Sequence, residues 1–204
     1  MLDFVKNNFV HVAPILVCAG FAVAIVVLFF SLLRSQVNGA VPYSDVQLGY
    51  PLIFRLAHAM LAAAGVHAAA ASLDKTIFHP TAIAAWAGMF ATSLNLLPGG
   101  QLDGGHIVFS LSPRRHRIIS RATILALIPL SFGWIGWLIW AVLLRLTGMR
   151  HPMVSEWPDV SGGRRWIAAF GLLMLALTFT PIPIGNAGLL EVLRSIKLAL
   201  AWHR

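Results

Sequence analysis

The chain has 204 residues, of which 58% are hydrophobic and only 11% are charged, a composition far from that of soluble domains. Fifteen basic residues against seven acidic ones give a formal net charge of +8, and the basic residues lie beside apolar blocks, which suits lipid headgroups better than nucleic acid. The composition therefore excludes an ordinary soluble domain and predicts an integral membrane protein. We expect no nucleic-acid partner. A single cysteine, Cys18, excludes an intramolecular disulfide framework.

The first predicted element is a membrane span over residues 12–33. This apolar block is longer than the core of a signal peptide, which has roughly 7 to 15 residues, and no small-residue cleavage site closes it. A cleaved signal peptide is the alternative. The next block, residues 56–73, is uncharged but mostly alanine and contains His58 and His67. It is predicted to span the membrane only when packed against stronger helices, or else to lie against them.

The third block covers residues 80–98 and places small residues on one helical face, where another backbone can approach closely: Ala84, Gly88 and Ala91. The fourth block, 122–146, contains Pro129 with Gly133 and Gly136 and is predicted to be one kinked span. Arginines flank this block on both sides, so the membrane orientation stays open.

The last apolar span is predicted over residues 166–180, and residues 188–202 follow as an amphipathic helix on the membrane surface. The predicted fold class is therefore all-α, a polytopic helical membrane protein. It has four or five transmembrane helices plus a C-terminal amphipathic surface helix, in one membrane domain over residues 1–204.

The most informative stretch, residues 95–106, ends one apolar helix and begins another; it reads Asn-Leu-Leu-Pro-Gly-Gly-Gln-Leu-Asp-Gly-Gly-His. Pro98 and the glycines after it break the first helix, and Asp103 starts the second. Because an unpaired charge is costly within a membrane bundle, we expect Asp103 to face inward, with Gly104 and Gly105 leaving room beside it for another helix or an ion. The simpler alternative is that Asp103 only caps its helix.

This stretch resembles the second signature of the site-2 protease family of intramembrane zinc metallopeptidases, Asn-x-x-Pro-x-x-x-Leu-Asp-Gly-Gly, and the similarity extends over about residues 19 to 185. The resemblance implies that Asp103 is the third protein ligand of a catalytic zinc. It also implies that Asn95 lies near the bound peptide and could donate a hydrogen bond to the developing oxyanion. Gln101 and His106 match as well, and His106 is expected to support Asp103 or its helix.

In that family the other two zinc ligands are the histidines of a His-Glu-x-x-His helix, and its glutamate is the general base. No two histidines of this sequence are four residues apart, and neither Glu156 nor Glu191 stands beside a histidine. Recruitment of His58, His67 or His79 as ligands is the less simple interpretation, because each fits a packed or helix-start role. The sequence thus has no general base, and we predict that this chain alone does not hold the zinc of the complete family site.

Three functions remain open. The first is the carboxyl-terminal part of a membrane-embedded zinc metalloendopeptidase, truncated at its N-terminus, inactive alone and located in a bacterial inner membrane. Its partners would be a transmembrane protein or peptide substrate, the lipid bilayer and an upstream segment that supplies the zinc helix. The second is a non-catalytic membrane interaction protein derived from the family. The third is a small transporter that uses Asp103 at a broken helix.

Overall fold

The computed structural model describes residues 19–37, 47–66, 73, 76–146 and 163–202. Within these ranges the fold is helical apart from one antiparallel pair of two-residue strands, so the all-α prediction is confirmed. The elements in chain order are α1 (19–33), β1 (Gln36–Val37), α2 (Leu52–Ala63), β2 (Thr76–Ile77), α3 (Pro80–Asn95), α4 (Asp103–Leu111), α5 (Pro113–Leu130), α6 (Gly136–Leu146), α7 (Gly163–Thr178) and α8 (Leu189–Trp202).

These elements form two compact units, and the first contains α1, β1, β2, α2 from Ile53 and α3 as far as Met89. Ser31 of α1 and Thr81 of α3 share a hydrogen bond between their hydroxyl groups at 2.7 Å. The α2 helix ends at Ala63, because Gly65 adopts a positive φ of 76° and the N–H of Val66 closes onto the carbonyl of Leu61. This helix therefore stops well inside the predicted block 56–73, whose residues 67–72 lie outside the described ranges.

The second unit contains residues 47–52 and everything described from Phe90 onward. Its buried core lies mainly between α5 and α6, with Trp137 at its centre, and includes Leu97, Leu127, Ala141 and Leu144. The indole N–H of Trp137 donates to the carbonyl of Pro181 at 2.7 Å. This bond ties the start of α6 to the segment that follows α7.

The prediction of one kinked span over residues 122–146 is wrong, because the structure has two helices there, separated by residues 131–135. The N–H of Ile135 leaves the helical pattern and donates to the carbonyl of Ala187 at 2.8 Å. Since a distant segment satisfies this donor, the chain breaks fully where Pro129 and Gly133 only suggested a kink. The predicted helices at 166–180 and 188–202 agree with α7 and α8 within about three residues.

None of the helices in the described ranges combines the length and the apolar character needed to cross a membrane. The α5 helix, for example, has 18 residues but carries four arginines, at positions 114, 115, 117 and 121. The predicted membrane spans therefore stay predictions, and residues 12–18 of the first one lie outside the described ranges.

Candidate functional site

The motif forms a short connection between two helices. The α3 helix ends at Asn95 and the α4 helix begins at Asp103, and we call the connection between them turn 96–102. Leu97 anchors this turn in the core with only 4% of its surface exposed. Gly100 has a φ of 57°, a conformation that favours glycine. The predicted helix break and the predicted helix start at Asp103 are both confirmed.

Asp103 is the first helical residue of α4, and its side chain is exposed. The expectation that it faces inward is therefore wrong. The residue before it, Leu102, occupies the N-cap position and provides no side-chain cap. Within the described ranges the Asp103 carboxylate makes no hydrogen bond or ion pair, so the capping alternative is not supported either. No described residue engages its two oxygens.

The two glycines after Asp103 are buried, and the space beside them is not open as predicted. A Cβ atom on Gly104 would collide with the backbone carbonyls of Leu96 and Leu97. A Cβ on Gly105 would come within 2.5 Å of the carbonyl oxygen of Gly100. The absence of side chains thus lets turn 96–102 lie directly on the first turn of α4, which fixes the backbone that carries Asp103.

The opposite side of the turn is held by polar side chains of α5. Nε2 of His116 lies 3.2 Å from the carbonyl oxygen of Gly100, and the N–H of Gly100 donates to the Ser120 hydroxyl at 3.2 Å. The hydroxyl of Thr123 donates to the carbonyl of Pro98 at 3.0 Å. None of these three residues was predicted from the sequence. Their spacing of four and three, which puts polar groups on one face of α5, is the signal that could have found them.

The other predicted site residues divide between the two units. Asn95 and His106 are exposed at the two sides of turn 96–102. In the first unit, His58 has a buried Nε2 without a hydrogen-bond partner among the described residues. His79 lies 2.8 Å from the Thr81 hydroxyl through its Nδ1, which fits the helix-start role. His67 and Glu156 lie outside the described ranges.

Within the part of the chain that the structure describes, no three side chains of His, Cys, Asp or Glu are grouped so as to hold a metal ion. A catalytic zinc needs three protein ligands and a water position, and Asp103 with His106 provides a pair at most. These residues therefore do not form a complete zinc site by themselves. The role of Asp103 as a ligand and that of Asn95 as a substrate contact stay predictions.

Comparison with known proteins identifies relatives of this chain. Over 141 residues the chain is 28% identical to the probable zinc metalloprotease EGY1, chloroplastic, of Arabidopsis thaliana. This alignment covers 66% of this chain and 24% of that protein. Over 113 residues it is also 28% identical to the probable zinc metalloprotease EGY2, chloroplastic, of the same plant, covering 54% and 20%. The matched part is thus less than a quarter of each relative. No solved structure matches the chain.

The family model described as Peptidase family M50 matches residues 10–135, which include all of turn 96–102 and α4. This match takes in more than half of the sequence, and so the chain belongs to peptidase family M50, the site-2 protease family.

Proposed function

We propose that this chain supplies the aspartate-bearing part of a zinc metallopeptidase centre, with Asp103 as one ligand of the metal. Membership of family M50 makes a zinc metalloprotease the expected activity and zinc the expected metal. Two histidines and the general base would come from a His-Glu-x-x-His helix, which these 204 residues do not contain. The chain alone would then neither hold zinc nor cleave peptides.

One observation carries the proposal. Asp103 is an exposed carboxylate on a backbone that two buried glycines and α5 hold in place, and no described residue uses it. A metal ligand has to be held in its productive geometry before the ion binds, and a rigid helix start supplies this better than a flexible loop. The exposure of Asp103 is what a site needs when its remaining ligands approach from another segment.

Asn95 enters the proposal as a contact for the substrate. It is exposed at the end of α3, on the other side of turn 96–102 from Asp103. Its amide N–H could donate to the peptide oxygen on which negative charge develops during hydrolysis. The proposed substrate is a transmembrane protein or peptide.

A membrane location is also proposed, because family M50 proteins are membrane-associated. Exposed apolar side chains on α6 support it: Ile139, Val142 and Leu146 are 57%, 50% and 76% exposed. Such a surface is suited to lipid or to neighbouring helices. The narrower prediction of a bacterial inner membrane has no support from the two relatives, whose names place them in chloroplasts.

A second candidate, a non-catalytic interaction protein, is favoured by the small-residue face of α3. Ala84, Gly88 and Ala91 are all exposed, and a Cβ added to Gly88 would meet no atom within 4 Å. A neighbouring helix could approach this face closely. The same face would serve the first candidate if the zinc-binding helix packed against it.

The test is to express the chain with a segment that carries His-Glu-x-x-His, fused or co-expressed, and to measure bound zinc and cleavage of a membrane-helix reporter. We expect the assembled protein to bind zinc and to cleave. The Asp103→Asn variant should lose both, with zinc affinity falling by more than the roughly 100-fold that an outer-shell substitution costs. Glu191→Gln is the matched control, because Glu191 is also a carboxylate in the first turn of a helix.

Full zinc occupancy and cleavage in Asp103→Asn would show that Asp103 is not a ligand and would refute the proposal. If the added segment associates stably with the chain while neither zinc nor cleavage appears, the interaction protein becomes the supported function.

A further inference from the structure

We propose that His116 and Ser120 are positioning residues, which hold the backbone carbonyl and N–H of Gly100 and thereby fix the orientation of Asp103. The inference rests on the proposed function in one respect, namely that Asp103 is a metal ligand. It assigns a role to two residues that the family motif does not include.

Both proposed positioning residues are buried polar side chains. His116 and Ser120 are 2% and 0% exposed, and buried polar groups are costly unless they are hydrogen-bonded. Both have a hydrogen-bond partner in one residue of the motif, and the Ser120 hydroxyl also lies 3.5 Å from Nε2 of His116. Nε2 of His116 lies 3.2 Å from the carbonyl oxygen of Gly100, and the N–H of Gly100 donates to the hydroxyl oxygen of Ser120 at 3.2 Å. Because a carbonyl oxygen only accepts, this contact selects the tautomer with a proton on Nε2.

Gly100 is linked to Asp103 through backbone packing. The carbonyl oxygen of Gly100 lies against Gly105, where a Cβ would come within 2.5 Å of it. The backbone of Gly100 is thus enclosed between α5 and the first turn of α4. A displacement of Gly100 would shift the first turn of α4, which packs against it. Because Asp103 is the first residue of that turn, its position would change as well.

The α5 helix also contacts α4 directly. The ring of His116 packs edge-on against Phe109 of α4, with ring centroids 5.4 Å apart. His116 therefore contacts both the turn before Asp103 and the helix after it. Thr123 adds a further fixed point, since its hydroxyl donates to the carbonyl of Pro98 at 3.0 Å.

The first experiment measures amide hydrogen exchange in turn 96–102 of the full chain. His116→Leu removes the donor, Ser120→Ala removes the acceptor, and His116→Gln keeps an N–H donor near the position of Nε2. We expect exchange of the Gly100 N–H to become about tenfold faster in Ser120→Ala, as for the loss of its one hydrogen bond. His116→Leu should also speed this exchange, because it releases the carbonyl of the same residue. His116→Gln should exchange nearly as slowly as the wild type.

Ser131→Ala is the matched control. Ser131 is a buried serine at the end of α5, and its hydroxyl donates to the carbonyl of Ile128, away from the motif. It should leave exchange in the turn unchanged. Unchanged exchange at Gly100 in Ser120→Ala would overturn the proposal, and this variant alone decides the point if His116→Leu does not fold.

The second experiment measures zinc affinity of the chain assembled with the His-Glu-x-x-His segment. We expect Ser120→Ala and His116→Leu to weaken zinc binding by about 10- to 100-fold, and His116→Gln to restore most of the loss. In an Asp103→Asn background the additional loss should vanish, because the residues act through Asp103. Faster exchange with unchanged zinc affinity would mean that the two residues serve packing only and would overturn their positioning role.

The two proposals fail in different ways. If the assembled wild-type protein binds no zinc, the proposed function is refuted, and the exchange measurements at Gly100 decide whether His116 and Ser120 hold the turn before the helix start. If the wild type binds zinc but the substitutions at positions 116 and 120 do not weaken it, only the positioning role is refuted.

Discussion

Within the described ranges the two acidic residues, Asp103 and Glu191, lie in the first turns of two different helices. At the start of α8, Glu191 accepts a hydrogen bond from the N–H of Gly188 at 3.0 Å and so satisfies a donor that the helix leaves unpaired. At the start of α4, the Asp103 carboxylate is exposed and makes no hydrogen bond to a described residue. An acidic residue in the first turn thus caps the helix at α8, whereas the acidic residue in the first turn of α4 is not used by any described residue.

The two helix starts are alike in how closely the backbone packs around them. A Cβ on Gly188 would collide with the carbonyl oxygen of Phe132, and a Cβ on Gly104 would collide with that of Leu96. At α8 this contact excludes a serine or threonine cap, which leaves the capping role to Glu191. At α4 the contact fixes the backbone without engaging the neighbouring carboxylate.

The largest effect in this comparison is expected from Gly104→Ala. The added methyl group would meet backbone atoms of Leu96 and Leu97, which cannot rotate away, so the free energy of unfolding should fall by about 3 kcal/mol or more. Gly88→Ala is the control, because a Cβ there meets nothing, and it should be neutral or stabilise by up to about 1 kcal/mol. Denaturation followed by circular dichroism under one fixed set of conditions measures both. Equal stability of the two variants would contradict the packed helix start.

An intermediate effect is expected from Glu191→Ala, which removes the acceptor for the N–H of Gly188. The free energy of unfolding should fall by about 1 kcal/mol, provided that α8 unfolds with the rest of the second unit. Glu191→Gln keeps an acceptor oxygen and should lose less. Hydrogen exchange at Gly188 gives a local check, and an unchanged rate in Glu191→Ala would show that the cap contributes nothing.

The smallest effect is expected from Asp103→Ala, measured as the same unfolding free energy. No hydrogen bond to a described residue is lost, so the change should stay within about 0.5 kcal/mol, as for most surface substitutions. A loss as large as that of Glu191→Ala would mean that Asp103 stabilises its helix after all, and the contrast between the two helix starts would disappear.

The features of this site that the sequence predicts correctly are those that depend on neighbouring residues in the chain. Pro98 and the glycines beside it predict a helix break, and the structure has one between Asn95 and Asp103. The role of Gly104 was misjudged, because the carbonyl groups that fill the space beside it come from the opposite side of the turn. His116 and Ser120 were missed for a related reason, since their partner Gly100 lies 16 and 20 residues away in the chain. The full break between α5 and α6 likewise depends on Ala187, more distant still.

The packing of Gly104 and Gly105 against turn 96–102 also bears on how this part of the sequence can diverge. A descendant that has lost catalysis but still folds would remain under selection to keep both glycines, because a Cβ at either position meets backbone atoms. Folding exerts no such pressure on the exposed carboxylate at position 103. The glycine pair is therefore a signature of the fold. If Asp103 binds the metal as proposed, a substitution at that position would instead report the loss of metal binding.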